Sequence, residues 1–474
     1  MLLAALAAVL AWPAAASAFV PNDTLAPRQW YLERIRAFDA WPDLPLLPPV
    51  RVAVIDSGID AKHPELAGRI VGAETFVGGS PLTDEDGHGT FVAGEIAAAT
   101  DNNQGIAGLA PSARLLVAKV VGRDGTILPS AEADAIRWAV DNGARVINLS
   151  LGGTRDPNNP TQDTFSALEQ SAIDYAVRRN VVVVAAVGNG DESPTTPWPF
   201  ASYPAALPHV IGVSAFGPLG SVPEFSNRDP VLNDISAPGE DIVSTFPRAL
   251  TARYATCEEQ GYSLCAPPVF RRGDGTSFAA PQVSAAAALL LSMRPKLTAD
   301  QVAELLERSA DDATPDDGCR SCRLGRDALT GWGRLDIAAA LKAVRGPVPA
   351  PDRLEPNDEA GGRARKLSAG TLRATLDFWD DRVDVYKIRL RRKSHVTVRL
   401  KARSDMTAGL SLWRPATRRV EGRAVNPELR VASSRNLGSS VRLDVRIRTG
   451  GWYFVEAKLA RPGTGGYALS VSKS

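Results

Sequence analysis

Residues 51–60 read RVAVIDSGID. The run from Val52 to Ile55 is apolar without a break, Asp56 ends it, and Gly58 marks a turn. An unbroken apolar run of this length, rather than an alternating one, is the pattern of a parallel strand buried on both faces. The pattern recurs at 115–121, 145–151, 181–187 and 210–215, with amphipathic stretches at 131–142 and 165–179 between the runs. Strand–helix–strand repetition predicts an α/β fold, a mostly parallel sheet with helices on both faces. Ligands of such sheets bind beyond the carboxyl ends of the strands, so Asp56 falls on the rim where chemistry is expected.

Further along, the character of the chain changes. Gly346-Pro-Val-Pro-Ala-Pro351 reads as a stiff linker. After it, 385–390, 395–400, 410–413, 441–447 and 452–457 alternate apolar and polar residues between Gly-rich turns, which predicts a small antiparallel β-sandwich. Charge divides at the same place. The 474 residues carry 54 Lys+Arg and 53 Asp+Glu, yet the balance is +13 from Asp352 onward and −12 before it. The expected domains are 19–345 and 355–474, joined by 346–354.

With 44% hydrophobic and 23% charged residues, the composition is globular and excludes a disordered or fibrous chain. No apolar run after the N-terminal segment approaches the ~20 residues that span a bilayer, so no membrane span is expected. Residues 2–18, LLAALAAVLAWPAAASA, form a short apolar run ending in an A-x-A-type site at Ala16-Ser17-Ala18. They read as a signal peptide removed after Ala18, although no Lys or Arg follows Met1. A secreted, extracellular protein is expected, and an oxidising compartment with it. The four cysteines, Cys257, Cys265, Cys319 and Cys322, then pair by proximity as two local disulfides. The Cys319-x-x-Cys322 spacing is also that of a redox motif or half a zinc site, but no His lies near either pair in sequence.

Two further segments carry reactive residue types. Asp86-Gly-His88-Gly-Thr90 opens an Ala-rich helical stretch, with Gly on both sides of the imidazole. Gly275-Thr-Ser277-Phe-Ala-Ala-Pro281 leads into an apolar helix, which puts Ser277 near unpaired N–H groups and the positive end of the dipole. Pro281 is expected in that helix's first turn, where a missing N–H is tolerated. Singly, these are a turn-forming Asp, a structural His and a Ser cap. Together they make a hydroxyl nucleophile, the base that takes its proton near neutral pH, and a carboxylate that fixes the base's tautomer.

The segments VAVIDSGID, DGHGTFVAG, SLGG at 150–153, AAVGN at 185–189 and GTSFAAP resemble the subtilisin family of serine peptidases, in a thermitase-like variant. The resemblance implies a serine endopeptidase in which Ser277 is the nucleophile, His88 the general base, Asp56 its orienting partner and Asn189 the oxyanion-hole side chain. Ser150, Leu151 and Gly152 resemble one strand that pairs with an extended peptide; Gly125, Thr126 and Ile127 resemble the opposite one. Ser202 falls at the base of the primary specificity pocket, with Asp191 and Glu192 near its rim. Phe91, where His or Cys is common, reads as a packing change. The resemblance also implies a structural calcium ion (Ca2+) held by Asp23, Glu65, the carbonyls of Ala99, Gln104 and Ile106, and the amide oxygen of Asn102. Glu65 stands where the family usually has Asp. No organic cofactor is implied.

In the tail, Leu354-Glu-Pro-Asn-Asp358, Asp384-Val-Tyr386 and Gly451-Trp-Tyr-Phe-Val455 resemble the bacterial pre-peptidase C-terminal domain. Its positive charge suits docking on the acidic remainder of the chain, or an anionic surface or polymer. No nucleic-acid module is present, and a monomer acting on polypeptide substrates is expected.

Overall fold

The computed structural model describes residues 19–40, 47–253, 270–348, 353–355, 357–362, 364–368, 370–378, 381–420, 425–461 and 463–474. The signal segment and the Cys257–Cys265 pair lie outside these residues. Seven strands form one parallel sheet: β1 (Arg51–Asp56), β2 (Ile70–Thr75), β3 (Arg114–Lys119), β4 (Val146–Leu149), β5 (Val182–Ala186), β6 (Val210–Phe216) and β7 (Ile235–Pro238), in the order β2-β3-β1-β4-β5-β6-β7. The helices are α1 (Trp30–Arg34), α2 (His88–Ala97), α3 (Pro129–Asp141), α4 (Ala167–Val177), α5 (Arg248–Arg253), α6 (Thr276–Met293), α7 (Ala299–Ser309) and α8 (Ile337–Ala343).

The unbroken apolar strands are explained by two cores, one on each face. Val52 and Val54 of β1 pack with residues of α2, α6 and α7, while Ala53 and Ile55 pack with residues of α3 and α4. Period-two alternation thus divides each strand between the cores. α6 has the length and apolarity to cross a membrane, but 83% of it is buried as the central helix of the first core. A short antiparallel pair, β8 (Ile242–Thr245) and β9 (Phe270–Gly273), packs near α2.

The tail folds as two sheets. Strands β10 (Arg365–Lys366), β11 (Gly370–Asp377), β12 (Val383–Leu390), β13 (His395–Ala402), β14 (Ala408–Trp413), β15 (Arg430–Ser433), β16 (Ser440–Arg446), β17 (Gly451–Leu459) and β18 (Thr464–Lys473) make the orders β10-β12-β17-β14-β15 and β11-β18-β13-β16. All pairings are antiparallel except the two-residue β10, which runs parallel to β12. Ile388, Val398, Leu412 and Val455 are among the side chains that fill the core of this sandwich. Leu354, at the end of the expected linker, packs against the sandwich core, and Val348 against the first core. Cys319 and Cys322 form the expected disulfide.

Candidate active site

Asp56 is the last residue of β1 and His88 the first of α2. The ring Nδ1 of His88 lies 2.9 Å from Oδ1 and 3.0 Å from Oδ2 of Asp56, so Nδ1–H donates to the carboxylate and Nε2 is left free. The approach depends on Gly89, where a Cβ would come within 2.2 Å of the Gly58 carbonyl oxygen. Burial pulls the His88 imidazolium down, but Asp56, then Asp86 and Asp84, outweigh it and raise it to about 9.

A residue the sequence reading passed over organises this corner. Asp84 is buried; its Oδ1 accepts from the Gly87 N–H at 2.8 Å and the Ser57 hydroxyl at 2.9 Å, and its Oδ2 from the Thr90 N–H at 2.8 Å and hydroxyl at 2.6 Å. Ser57 in turn donates its N–H to Asp56 at 2.7 Å and accepts the Gly89 N–H at 2.9 Å. Asp84 therefore satisfies the open first turn of α2 and ties it to the end of β1. Its signal in the sequence is an Asp three residues ahead of Gly87, a turn-and-cap position.

Ser277 is the second residue of α6. Its hydroxyl donates to the Ser150 carbonyl at 3.1 Å, and the Ser150 hydroxyl donates back to the Ser277 carbonyl at 2.7 Å. The expectation that all three side chains meet within hydrogen-bond reach holds for Asp56 and His88; the Ser277 hydroxyl is turned onto Ser150 instead. The ring of the next residue, Phe278, is 5.5 Å from that of His88 and 4.2 Å from that of Phe91, which accounts for the large residue at 91. Pro281 does not sit in the first turn as expected but at the sixth position of α6. Its missing N–H frees the Ser277 carbonyl, four residues back, and the Ser150 hydroxyl fills that place. Buried Asn148 and Ser284 hold the arrangement: Asn148 Nδ2 donates to Ser150 Oγ at 2.9 Å, and Ser284 donates to Asn148 Oδ1 at 2.8 Å. A polar Asn inside the apolar strand 146–149 was the available sign.

Asn189 follows β5 through Gly188, whose φ is +94°. Its Oδ1 accepts from both the N–H and the hydroxyl of Thr276 at 3.0 Å, which leaves the amide N–H2 as the unengaged end. Ser150, Leu151 and Gly152 continue β4 beyond its carboxyl end, and Gly153 then pairs antiparallel with Tyr203. Gly125 and Thr126 are exposed in a tight turn after β3, closed by the Gly122 N–H on the Thr126 carbonyl at 3.0 Å, with Ile127 paired to Val121. Ser202 is buried against the Gly188 turn, and its hydroxyl accepts from Asn227 at 3.2 Å. Burial and then Asp191 raise the Glu192 carboxyl, while the charge of His88 pulls it back, which places Glu192 in electrostatic range of the imidazole.

The loop read as a metal site is assembled from the same segments. Asp23 accepts the Asp101 N–H at 2.8 Å, and the Glu65 carbonyl accepts the Ala99 N–H at 2.9 Å. Asn102 donates its amide to Glu65 at 3.1 Å, and its oxygen takes the Gln104 N–H at 2.9 Å instead of standing free as a ligand. Ile106 packs with Leu25 and Phe270 in a small core beneath the loop. Glu65 Oε1 is buried without a hydrogen-bond partner, and burial, with the charge of Asp23, pushes the Glu65 carboxyl up to about 8. Two buried carboxylates with an unsatisfied oxygen suit a hard cation.

The signature of the subtilase family matches residues 49–333. Thermitase of Thermoactinomyces vulgaris is 36% identical over 296 residues, covering 62% of this chain and 92% of that protein. Subtilisin E of Bacillus subtilis is 40% identical over 295 residues, covering 62% of this chain and 66% of its own length. A solved protease of Pseudoalteromonas arctica superposes with a TM-score of 0.54 at 26% identity, covering 69% of this chain and all of that one. The chain belongs to the subtilase family and is a serine-type endopeptidase.

Proposed function

We propose that the chain is a secreted endopeptidase that cleaves polypeptides through an acyl-enzyme, with 19–345 as its catalytic unit. The observation that carries the reading is the Asp56–His88 contact at 2.9 Å; Phe278, the residue after Ser277 at the start of α6, has its ring 5.5 Å from that of His88. Rotation of the Ser277 hydroxyl from Ser150 toward His88 Nε2 prepares it for attack. Its oxygen bonds to the scissile carbonyl carbon while its proton passes to Nε2. The carbonyl oxygen, now negative, accepts from Asn189 Nδ2 and the Ser277 N–H. The C–N bond then breaks as the imidazolium gives its proton to the leaving amine, and water repeats the sequence to release the acid. A peptide laid along Ser150–Gly152 competes for the Ser150 carbonyl, which releases the hydroxyl for this rotation. Gly125, Thr126 and Ile127 wall the other side, and Ser202 closes the pocket base.

Asn189→Ala should lower kcat about 10²–10³-fold, or ~2.7–4 kcal/mol of barrier. A fluorophosphonate should label the wild type and fail to label Ser277→Ala. Absence of label on the wild type would sink the assignment.

Calcium would be held by Asp23, Glu65 and the carbonyls of Ala99, Gln104 and Ile106, with the Asn102 amide reversed. When bound it would neutralise the paired carboxylates and pin the loop. Residues 355–474 are read as a pre-peptidase C-terminal-type domain. At its joint with the catalytic unit, Arg382, Arg418 and Arg419 of the sandwich line clefts shared with Asp163, Asp300 and Glu307. There His209 meets Glu355 and Asp358, and Glu304 faces Asp377, so acidic groups come from both sides. The net +13 suits docking on the acidic unit, or an anionic surface or polymer as its partner.

A further inference from the structure

Two buried polar side chains face each other between the helices that carry the base and the nucleophile, and the peptidase chemistry uses neither. Glu95 lies on α2, the helix that His88 opens, and Gln282 on α6, which holds Ser277 in its first turn. Both are fully buried, and both helices pack in the first core. Gln282 Nε2 donates to the Pro238 carbonyl at 2.8 Å, the Phe278 carbonyl at 3.0 Å and Glu95 Oε2 at 3.1 Å. The two backbone carbonyls fix which end of the amide faces them, since only its nitrogen can donate. Gln282 is thereby tied to the end of β7 and to Phe278, whose ring lies 5.5 Å from that of His88. The second oxygen of each side chain, Glu95 Oε1 and Gln282 Oε1, is buried without a hydrogen-bond partner. Burial pushes the Glu95 carboxyl well above its ordinary value, and the Gln282 amide draws it back without the help of any cation.

A carboxylate has no proton to offer the Gln282 oxygen, and a lone carboxylate in a dry core is costly enough that the group keeps its proton instead. The neutral acid supplies the missing donor. One hydrogen on Glu95 Oε1 satisfies both orphaned oxygens at once, because an acid and an amide are complementary, each with a donor beside an acceptor. We propose that Glu95 and Gln282 form a two-bond acid–amide pair, and that Glu95 thereby acts as a positioning residue that locks the helix of the nucleophile to the helix of the base. Gln282 Nε2–H donates to Glu95 Oε2, and Glu95 Oε1–H donates to Gln282 Oε1. Sliding of α6 along α2 would change the separation of Ser277 and His88, and a pair in this place resists it. The positioning role rests on the roles of His88 and Ser277 proposed above; the proton on Glu95 does not.

Infrared difference spectra of the full chain carrying Ser277→Ala, with and without Glu95→Gln, test the proton without any use of activity. At about pH 7, where ordinary carboxyls are ionised, Glu95→Gln should delete one protonated-carboxyl C=O band, and the other raised acids cancel in the difference. In the active chain, Glu95→Leu should lower kcat on a peptide substrate about tenfold with KM changed by less than about twofold, because a shifted α6 misplaces Ser277 and leaves the walls that hold the peptide alone. Glu95→Gln should bring kcat back to within about twofold of wild type, since an amide there makes the same two bonds. If Glu95→Leu does not fold, the spectrum and Glu95→Gln decide between them. An unchanged carboxyl region, wild-type kcat in Glu95→Leu, or a kcat in Glu95→Gln that stays about tenfold down overturns the proposal. Failure of the peptidase reading shows separately, as loss of fluorophosphonate label on the wild type.

Discussion

The rim around His88 and the joint around His209 both bury an imidazole among carboxylates, and they treat those carboxylates in opposite ways. At the rim, each acid is met by donors from the protein. Asp84 accepts from Gly87, Thr90 and Ser57, and Asp56 accepts from Ser57 and His88. At the joint, Glu355 and Asp358 each keep a buried oxygen with no hydrogen-bond partner, and burial, then Asp358, pushes the Glu355 carboxyl up to about 8. A network satisfied by backbone N–H groups holds its geometry without help. At the joint the donors are fewer, the Asn357 N–H at 2.9 Å on Glu355 Oε2 and the His209 ring between Glu355 and Asp358, so part of the buried charge stays unmatched. Removing an acid should therefore destabilise the rim and relieve the joint.

The largest effect is expected at Asp84. Asp84→Ala strands the Gly87 and Thr90 N–H groups and the Ser57 hydroxyl in a dry corner, at about 3–5 kcal/mol in denaturant unfolding. kcat/KM should fall with it, because Ser57 and Gly89 register the Asp56–His88 pair. A loss under about 1 kcal/mol would mean that water reaches the corner, and the contrast with the joint would fail.

Next is Ser150→Ala, which tests whether the nucleophile's helix depends on a side chain for the bond Pro281 cannot make. It leaves the Ser277 carbonyl and the Asn148 amide unpartnered, at about 1–2 kcal/mol. Pro281→Ala in the same background restores an N–H for that carbonyl and should recover part of the loss. Failure to recover would show that the helix ladder is not what the Ser150 hydroxyl replaces.

Legibility in the sequence followed the same division between local and long-range effects. Residues 52–55 and 182–186 read as strands because both faces are buried. β2 escaped because it is half exposed and carries Gly72 and Glu74. β7 escaped because it is four residues long at the sheet edge and ends in Pro238. β18 opens on Gly465 and Gly466, which read as a turn. Asp56, His88 and Ser277 were legible because each sits in a short motif with its own glycines. Asn148 was not, since its partner Ser284 is 136 residues away. The motif holding Glu355 and Asp358 is visible in the sequence, but nothing local to it or to His209 says that they meet.

At the joint the expected sign reverses. Glu355→Gln removes a charge that faces Asp358 and should raise the melting temperature by about 1–2 °C, roughly 1 kcal/mol or less. A drop in its place would mean that the Asn357 N–H and His209 on Glu355 outweigh its repulsion from Asp358, and the joint would be a second rim rather than its opposite.

The smallest effect concerns the rim's electrostatics. His88 is raised to about 9, so its imidazolium persists above neutral pH, and the neutral ring that takes the Ser277 proton grows in only as pH rises through that value. kcat/KM should climb on an acid limb with its midpoint in the alkaline range. Asp86 contributes to the raised value from an exposed position, whereas Asp56 does so from a buried one. Asp86→Asn removes a negative charge, destabilises the imidazolium and moves the limb to lower pH by a few tenths of a unit, with the sign opposite to that of adding an acid. Because Asp86 faces solvent, salt should screen its share: the difference between Asp86→Asn and wild type should shrink toward zero at ~1 M ionic strength, while the limb itself stays alkaline through Asp56. Limbs that coincide at low salt would show that the buried carboxylate alone sets the proton affinity of the ring, and that the rim's exposed acids serve only the backbone they cap.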